Sequence, residues 1–181
     1  MRAATSPVPG RWLLAADADW WDLVRYGPPG FEAYVRVAFA DDAGPGEDPT
    51  SRRALATLAE HTSTPSRGYA AVWEGWGPPP PPAPAPVLEI PQRTMLLFTG
   101  QVRALRDAPA LGWGRSAMTC HQEPHLVWPE DHAWCLACEV DEELEFSVGC
   151  SEAAATALAQ ALPGVVRRVR YGEPAPLYRE G

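Results

Sequence analysis

Six cysteine and histidine side chains lie close together in the last third of the chain, and these residue types bind zinc or act as nucleophiles. They are Cys120, His121, His125, His132, Cys135 and Cys138. A structural zinc site needs four such ligands in a tetrahedron. Cys135 and Cys138 fall in a segment with the alternation of a strand, where positions i and i+3 point to opposite faces. A zinc site would therefore depend on Cys120, His121 and His125, and the favoured prediction is that the chain holds no metal or cofactor.

A nucleophilic thiol at Cys150 is the second chemical possibility. This residue directly precedes Ser151, the predicted start of a helix, where the helix dipole lowers the pKa of a thiol. One of the histidines, His121, His125 or His132, would have to complete a dyad. Because a small residue at a strand-to-helix corner is more often packed than reactive, the favoured prediction is a buried thiol.

The composition excludes further kinds of chemistry. All 15 basic residues are arginine, and the chain contains neither lysine nor asparagine. This bias, with 21 prolines, is typical of a GC-rich genome. It also excludes Schiff-base chemistry and the lysine of a phosphate-binding loop, and the sequence has no nucleophile elbow of the G-x-S-x-G type.

The net charge limits the partners that we expect. The charge is −8 at neutral pH, which argues against general binding to nucleic acid or to an anionic membrane surface. The apolar stretches are much shorter than the roughly 20 residues of a spanning helix, and the first residues lack the apolar core of a signal peptide. We therefore expect a cytoplasmic protein that binds neither nucleic acid nor membranes.

The remaining chemistry is that of tryptophan and carboxylate side chains. The candidate binding residues are Trp73, Glu74, Trp76, Trp128, Asp131, Trp134 and Asp141. Tryptophans beside carboxylates at strand ends suit a surface that holds a cationic or polar partner by stacking and charge. The same tryptophans could instead be core or rim packing, and the two interpretations have similar weight.

Hydrophobic alternation and capping signals predict the elements that position these residues. Strands are predicted at 31–39, 69–76, 94–102, 133–140, 144–148 and 165–171, and helices from Asp17, from Thr50 or Ser51, and from Ser151 through Leu162. The strand at 31–39 is predicted to be half-buried, with Arg36 on its polar face.

These elements predict an α+β domain with a single, mostly antiparallel sheet of about six strands and two or three helices. Residues 1–16 are predicted to form a flexible lead-in, and 17–181 one domain. The five consecutive prolines from Pro78 predict a stiff connection at 77–86 inside that domain.

Several phrases of the sequence resemble an uncharacterised family of small actinobacterial proteins. The phrases are His61–Pro65, Ala71–Gly77 (AVWEGWG) and Trp128–Cys135 (WPEDHAWC), followed by Glu139–Asp141. The similarity covers roughly residues 28–165, although that family usually has Trp, Arg and Thr where this chain has Val127, His132 and Cys138. The resemblance implies a shared fold and site location but no particular activity.

We therefore expect a non-enzymatic protein that binds a protein partner through a surface formed by Trp73, Trp76 and Trp128. An immunity-like or antitoxin-like role fits, because inhibitors of basic toxins are commonly small and acidic. The alternative is a small-molecule-binding protein or enzyme with Glu74, Asp131 and Asp141 in a tryptophan-lined cleft. A homo-oligomer that buries the aromatic patch is a third possibility.

Overall fold

One antiparallel sheet runs through the computed structural model, which describes residues 1–15, 17–40, 49–76, 85–105 and 124–178. The strands are β1 (Arg2–Ala3), β2 (Ala33–Ala38), β3 (Gly68–Trp73), β4 (Val87–Ile90), β5 (Arg93–Gly100), β6 (Leu126–Pro129), β7 (Cys135–Ala137), β8 (Glu145–Cys150) and β9 (Val166–Val169). Their order across the sheet is β1-β5-β3-β6-β7-β8-β2-β9, and β4 pairs with β5 beside β1.

The predicted α+β class with one antiparallel sheet is confirmed, but the strand count of about six is too low. Nine strands lie within the described ranges. The three additional strands are β1, β4 and β6, and each has four residues or fewer. With two residues, β1 is too short for alternation to show, and β6 is buried on both faces, so its side chains do not alternate in polarity. β4 does alternate in burial, but it lies next to the proline-rich segment.

Three of the four helices in the described residues begin close to predicted caps. The four are α1 (Arg11–Ala15), α2 (Trp20–Tyr26), α3 (Pro49–Leu58) and α4 (Glu152–Ala161). α3 begins at Pro49, so that the predicted caps Thr50 and Ser51 lie in its first turn. The cap of α2 is Asp19, not Asp17, and its carboxylate accepts a hydrogen bond from the Trp21 amide at 2.9 Å. Ser151 caps α4 as predicted, by accepting a hydrogen bond from the amide of Ala154 at 3.2 Å.

Helices cover both faces of the sheet. On one face α3 and α4 pack through residues such as Leu55 and Leu158 onto Val35 and Val37 of β2. On the other face α1 and α2 pack onto β3, β5, β6 and β7. Because β2 is covered on both sides, its side chains are buried in both directions, and the prediction of a half-buried strand with a polar face is wrong.

The first fifteen residues, predicted as a flexible lead-in, contain a strand and a helix that contact the sheet. Arg2 and Ala3 pair with Thr99 and Phe98 of β5, and Leu13 of α1 is wholly buried. The strand, a 3-10 helix at Val8–Gly10 and the α-helix are two, three and five residues long, which is too short for a sequence period to show. Most of the predicted proline connection, residues 77–84, lies outside the described residues.

A network of buried ion pairs lies between α2 and the face of β2 that this helix covers. Arg36 lies 2.8 Å from the Glu142 carboxylate and 2.8 Å from the Glu145 carboxylate. Arg25 of α2 also reaches Glu142, at 3.0 Å. The side chains of Arg36 and Glu142 are each only 1% exposed, so each charge depends on its partners for compensation.

No helix within the described ranges is long and apolar enough to cross a membrane.

Replacing Glu142 with alanine is expected to lower the free energy of unfolding by about 3–5 kcal/mol, because it leaves Arg25 buried without its ion-pair partner. The matched control is Glu130→Ala, which removes an exposed pair with Arg67 and should cost less than about 1 kcal/mol. Urea unfolding at neutral pH measures both values. Equal losses for the two variants would contradict a structural role of the buried network.

Candidate functional site

Arg93, the first residue of β5, joins two tryptophans at one end of the sheet. Its guanidinium carbon lies 5.4 Å from the ring centroid of Trp73 and 5.7 Å from that of Trp20. The same guanidinium donates to Glu139 Oε1, from Nη2 at 2.5 Å and from Nε at 3.2 Å. The contacts position both half-buried rings by cation–π attraction, while Glu139 neutralises the arginine.

Glu139 also orders the turn that follows β7. Its second carboxylate oxygen accepts a hydrogen bond from the Asp141 amide at 2.8 Å, and its side chain is only 1% exposed. The Asp141 side chain is exposed, as is that of Glu74, which directly follows Trp73. We call Trp20, Trp73, Glu74, Arg93 and Asp141 the Arg93 face. Three of these five, Trp73, Glu74 and Asp141, are residues that the sequence predicts to bind a partner.

The buried His125 side chain holds Trp73 of the Arg93 face through a hydrogen bond to its backbone amide. Its Nδ1 atom accepts a hydrogen bond from the Trp73 amide at 3.0 Å, so the proton of the neutral ring is on Nε2. Burial lowers the pKa of His125 to about 4, although the charge of Glu139 acts in the opposite direction. The ring is therefore neutral and positions the last residue of β3.

The possible zinc site receives no support from the described residues. His125 already uses Nδ1 as an acceptor, and the other two candidate ligands, Cys120 and His121, lie outside the described residues. Within the described ranges, no group of three or more histidine, cysteine, aspartate or glutamate side chains is arranged to hold a metal ion.

Asp131 lies at the opposite end of β3 and connects two turns. Its carboxylate accepts hydrogen bonds from the Thr62 hydroxyl at 2.7 Å and from the Ser63 amide and hydroxyl at 2.6 and 2.7 Å. It also accepts one from the Ala133 amide at 3.2 Å. With these four bonds the carboxylate has a structural role, and its position separates it from Glu74 and Asp141.

The predicted binding residues Trp128 and Trp134 are wholly buried. Trp134 donates from Nε1 to the Leu58 carbonyl at 2.9 Å, and Trp128 stacks on Tyr69 with ring centroids 5.9 Å apart. Both residues therefore belong to the core and offer no surface to a partner. Trp76 ends the short 3-10 helix Glu74–Trp76, directly after β3.

Cys150 is the packed thiol that the sequence favours. Its side chain is buried in the core beneath α4, and this burial raises the pKa of Cys150 to about 12. Burial outweighs the charge of Arg168, which acts in the opposite direction, so the thiol is protonated at neutral pH and lacks the thiolate form that a nucleophile needs.

Two members of the Arg93 face, Trp20 and Arg93, were not predicted as site residues. Trp20 is 53 positions before Trp73 and Arg93 is 20 after it, so local spacing cannot show that the three meet. The tight turn between β4 and β5, where Gln92 has a φ of 63°, sets the start of β5 at Arg93. A positive φ at a glutamine has no sequence signature.

Comparison of the chain with family models, with curated proteins and with solved structures finds no match in any of the three. The resemblance to the actinobacterial family therefore stays a prediction.

Asp131→Asn is expected to lower the free energy of unfolding by about 1 kcal/mol at neutral pH, because charge-assisted hydrogen bonds are lost. Partial burial raises the pKa of Asp131, but the bonds from Ser63 and Thr62 outweigh it and hold the pKa below 3.8. The ionised carboxylate thus stabilises the fold above this pH, and the benefit is lost as the pH falls through the lower folded value. Urea unfolding across this pH range, with the exposed Asp17→Asn as control, should show the difference shrinking in acid; a pH-independent difference would contradict the assignment.

The His125 ring is expected to remain neutral in the folded protein between about pH 8 and about pH 5. Nitrogen chemical shifts should identify Nδ1 as the unprotonated atom. In the urea-unfolded chain the same ring should titrate with an ordinary pKa, so acidification below about pH 6.5 favours the unfolded state. A folded-state titration near pH 6.5 would show that the ring is not enclosed as described.

Proposed function

We propose that the chain is a non-enzymatic binding protein that engages a basic protein partner through the Arg93 face. The observation that carries this proposal is the fixed pair of half-buried tryptophans, Trp20 and Trp73, beside the exposed carboxylates of Glu74 and Asp141. Rigid tryptophans contribute much binding energy at protein interfaces, and exposed charges select the partner and speed its approach.

The local charge supports a basic partner. The positive charge of Arg93 is neutralised by the buried Glu139, whereas Glu74 and Asp141 extend into solvent. The chain as a whole carries a net charge of −8, so its field attracts cationic proteins over a distance. An immunity-like or antitoxin-like inhibitor of a basic toxin is the role that best matches this combination.

A catalytic cleft is less well supported. It would require Glu74, Asp131 and Asp141 to converge on one substrate. Asp131 lies beyond the first residue of β3 and Glu74 directly follows the last, and a strand of six residues separates its ends by roughly 17 Å. The four hydrogen bonds of the Asp131 carboxylate further disfavour its use as an acid or base.

The test is a pair of charge-reversal variants with the same net charge. Glu74→Arg with Asp141→Arg alters the Arg93 face, whereas Glu60→Arg with Glu130→Arg alters exposed positions at the Asp131 end. Both pairs change the net charge from −8 to −4. We expect a basic partner from native lysate to be retained by wild type and by the second pair, and to be reduced at least about tenfold by the first.

Retention should also fall as ionic strength rises, because exposed charges contribute to the association. Equal retention by all three proteins would refute the role of the Arg93 face. Capture by wild type of an acidic protein, in a salt-independent manner, would refute the proposed partner class. Light scattering distinguishes a partner complex from self-association, and a dimer that only the first pair dissolves would mean that the face binds a second copy.

A further inference from the structure

The C-terminal segment, residues 171–178, crosses the protein next to the Arg93 face without forming a helix or strand. It is held through three of its own carbonyl oxygens. The donor and acceptor pairs are the Tyr26 hydroxyl with the Glu173 carbonyl, Arg25 Nη1 with the Ala175 carbonyl at 3.1 Å, and the Glu143 amide with the Leu177 carbonyl at 3.0 Å.

The three accepting carbonyls belong to alternate residues, Glu173, Ala175 and Leu177. An extended chain repeats every two residues, so its alternate carbonyls face the same side. Pro174 lies between Glu173 and Ala175, and Pro176 lies between Ala175 and Leu177. Neither proline has an amide hydrogen that needs a hydrogen-bond acceptor. These three contacts thus bind an extended main chain whose intervening residues need no amide hydrogen. The Glu173 side chain makes contacts of its own, since it accepts a hydrogen bond from the Arg170 amide at 3.1 Å and lies 3.6 Å from Arg167 Nη1.

The donors are positioned by the protein itself. Arg25 donates to Glu142 from Nη2 at 3.0 Å and from Nε at 3.3 Å, which orients its remaining nitrogen. The Tyr26 ring lies 5.7 Å from the guanidinium carbon of Arg36. Both contacts belong to the buried ion-pair network, so the site for an extended chain is preorganised.

The start of this segment contains a position whose backbone conformation favours glycine. Gly172 has a φ of +71°, and a Cβ added there would lie 3.0 Å from Asp22 Oδ2. A β-branched residue such as valine is disfavoured at this positive φ. Substitution at Gly172 therefore weakens the docking of the segment without altering Arg25, Tyr26 or the Glu143 amide.

We propose that the C-terminal segment is the internal occupant of an extended-peptide groove, and that the protein partner binds by placing an extended, proline-containing segment of its own in this groove. The basic character of that partner rests on the proposed function. The groove itself rests only on the contacts with the C-terminal segment.

The end of the groove indicates which side chain the partner presents there. Tyr178 is 50% exposed and directly follows Leu177, whose carbonyl accepts a hydrogen bond from the Glu143 amide at 3.0 Å. The Glu143 carboxylate and that of Asp141, two positions earlier, therefore lie near Tyr178, and desolvation together with these charges raises the pKa of Tyr178. A cation at this place in the incoming segment would be attracted by both carboxylates. The position of Asp141 links the groove to the Arg93 face.

The experiment uses the full-length chain and a fluorescent peptide with the sequence of residues 173–181. In wild type the internal segment competes, so only the open fraction binds the peptide. We expect Gly172→Val to bind the peptide about tenfold more tightly by fluorescence anisotropy, and Gly172→Ala to show a smaller gain in the same direction. Adding Tyr26→Phe to Gly172→Val should weaken binding about fivefold, through the loss of one hydrogen bond.

The control peptide is the mirror-image peptide, which has the same composition but presents its carbonyls with the wrong handedness. Equal binding of both enantiomers, or equal affinity of wild type and both Gly172 variants, would overturn the groove. A peptide carrying Tyr178→Arg should bind several-fold more tightly to Gly172→Val, and Asp141→Asn should remove this gain. A gain that persists without Asp141 would overturn the basic preference.

Failure of this inference is distinguishable from failure of the proposed function. If the peptide binds as expected but reversal of Glu74 and Asp141 leaves partner capture unchanged, the groove stands and the proposed function fails. If the charge reversal abolishes partner capture but the peptide does not bind, the proposed function stands and the groove fails. If Gly172→Val becomes a dimer that the free peptide dissociates, the incoming segment is that of a second copy, which overturns its assignment to a partner.

Discussion

Arg36 requires compensation for a charge buried in the middle of a strand, and several elements of the structure supply it. A buried guanidinium is costly unless carboxylates lie within hydrogen-bond distance. Glu142 and Glu145 meet this requirement at 2.8 Å each, and Arg25 of α2 shares Glu142. The position of α2, the turn between β7 and β8, and the start of β8 are therefore coupled through one network, which also orients the donors that hold the C-terminal segment.

The turn between β7 and β8 connects this network to the candidate site. Its two buried glutamates serve different partners, since Glu139 binds Arg93 while Glu142 binds Arg25 and Arg36. The Glu142 amide also donates to the Glu139 carbonyl at 3.0 Å, so a single hydrogen-bonded turn positions both residues. The exposed Asp141 lies between Glu139 and Glu142 in the chain, so its position is set by the contacts of both. In this protein the acidity of the turn is thus partly structural, and only some of its carboxylates are available to a partner.

How much the sequence predicts depends on whether the relevant forces are local. The cap of α4 at Ser151 and the six predicted strands follow from hydrogen bonding and alternation within a few residues, and these predictions agree with the structure. Arg36 is different, because whether its face of β2 meets solvent depends on α2 and on a turn more than 100 residues away. The same limit applies to the Arg93 face, whose members are distant in the chain. Trp73 and Asp141 were predicted as single residues, but their common connection through Arg93 was not.

The tryptophan and carboxylate residues of the predicted site fall into two groups: those whose polar atoms bond within the protein, and those whose side chains stay exposed. Trp134 donates to the Leu58 carbonyl, and Asp131 accepts hydrogen bonds from the 62–63 turn. These polar groups are therefore bonded within the protein and are not available to a partner. Glu74 and Asp141 instead keep their side chains exposed, at the end of the sheet where Arg93 holds two aromatic rings. A motif rich in tryptophan and carboxylate residues therefore indicates core packing as readily as a binding site. The two cases are separated by whether each polar group is bonded within the protein or exposed to solvent. By that criterion the candidate surface contracts from seven predicted residues to the end of the sheet formed by β3, β5 and the turn after β7.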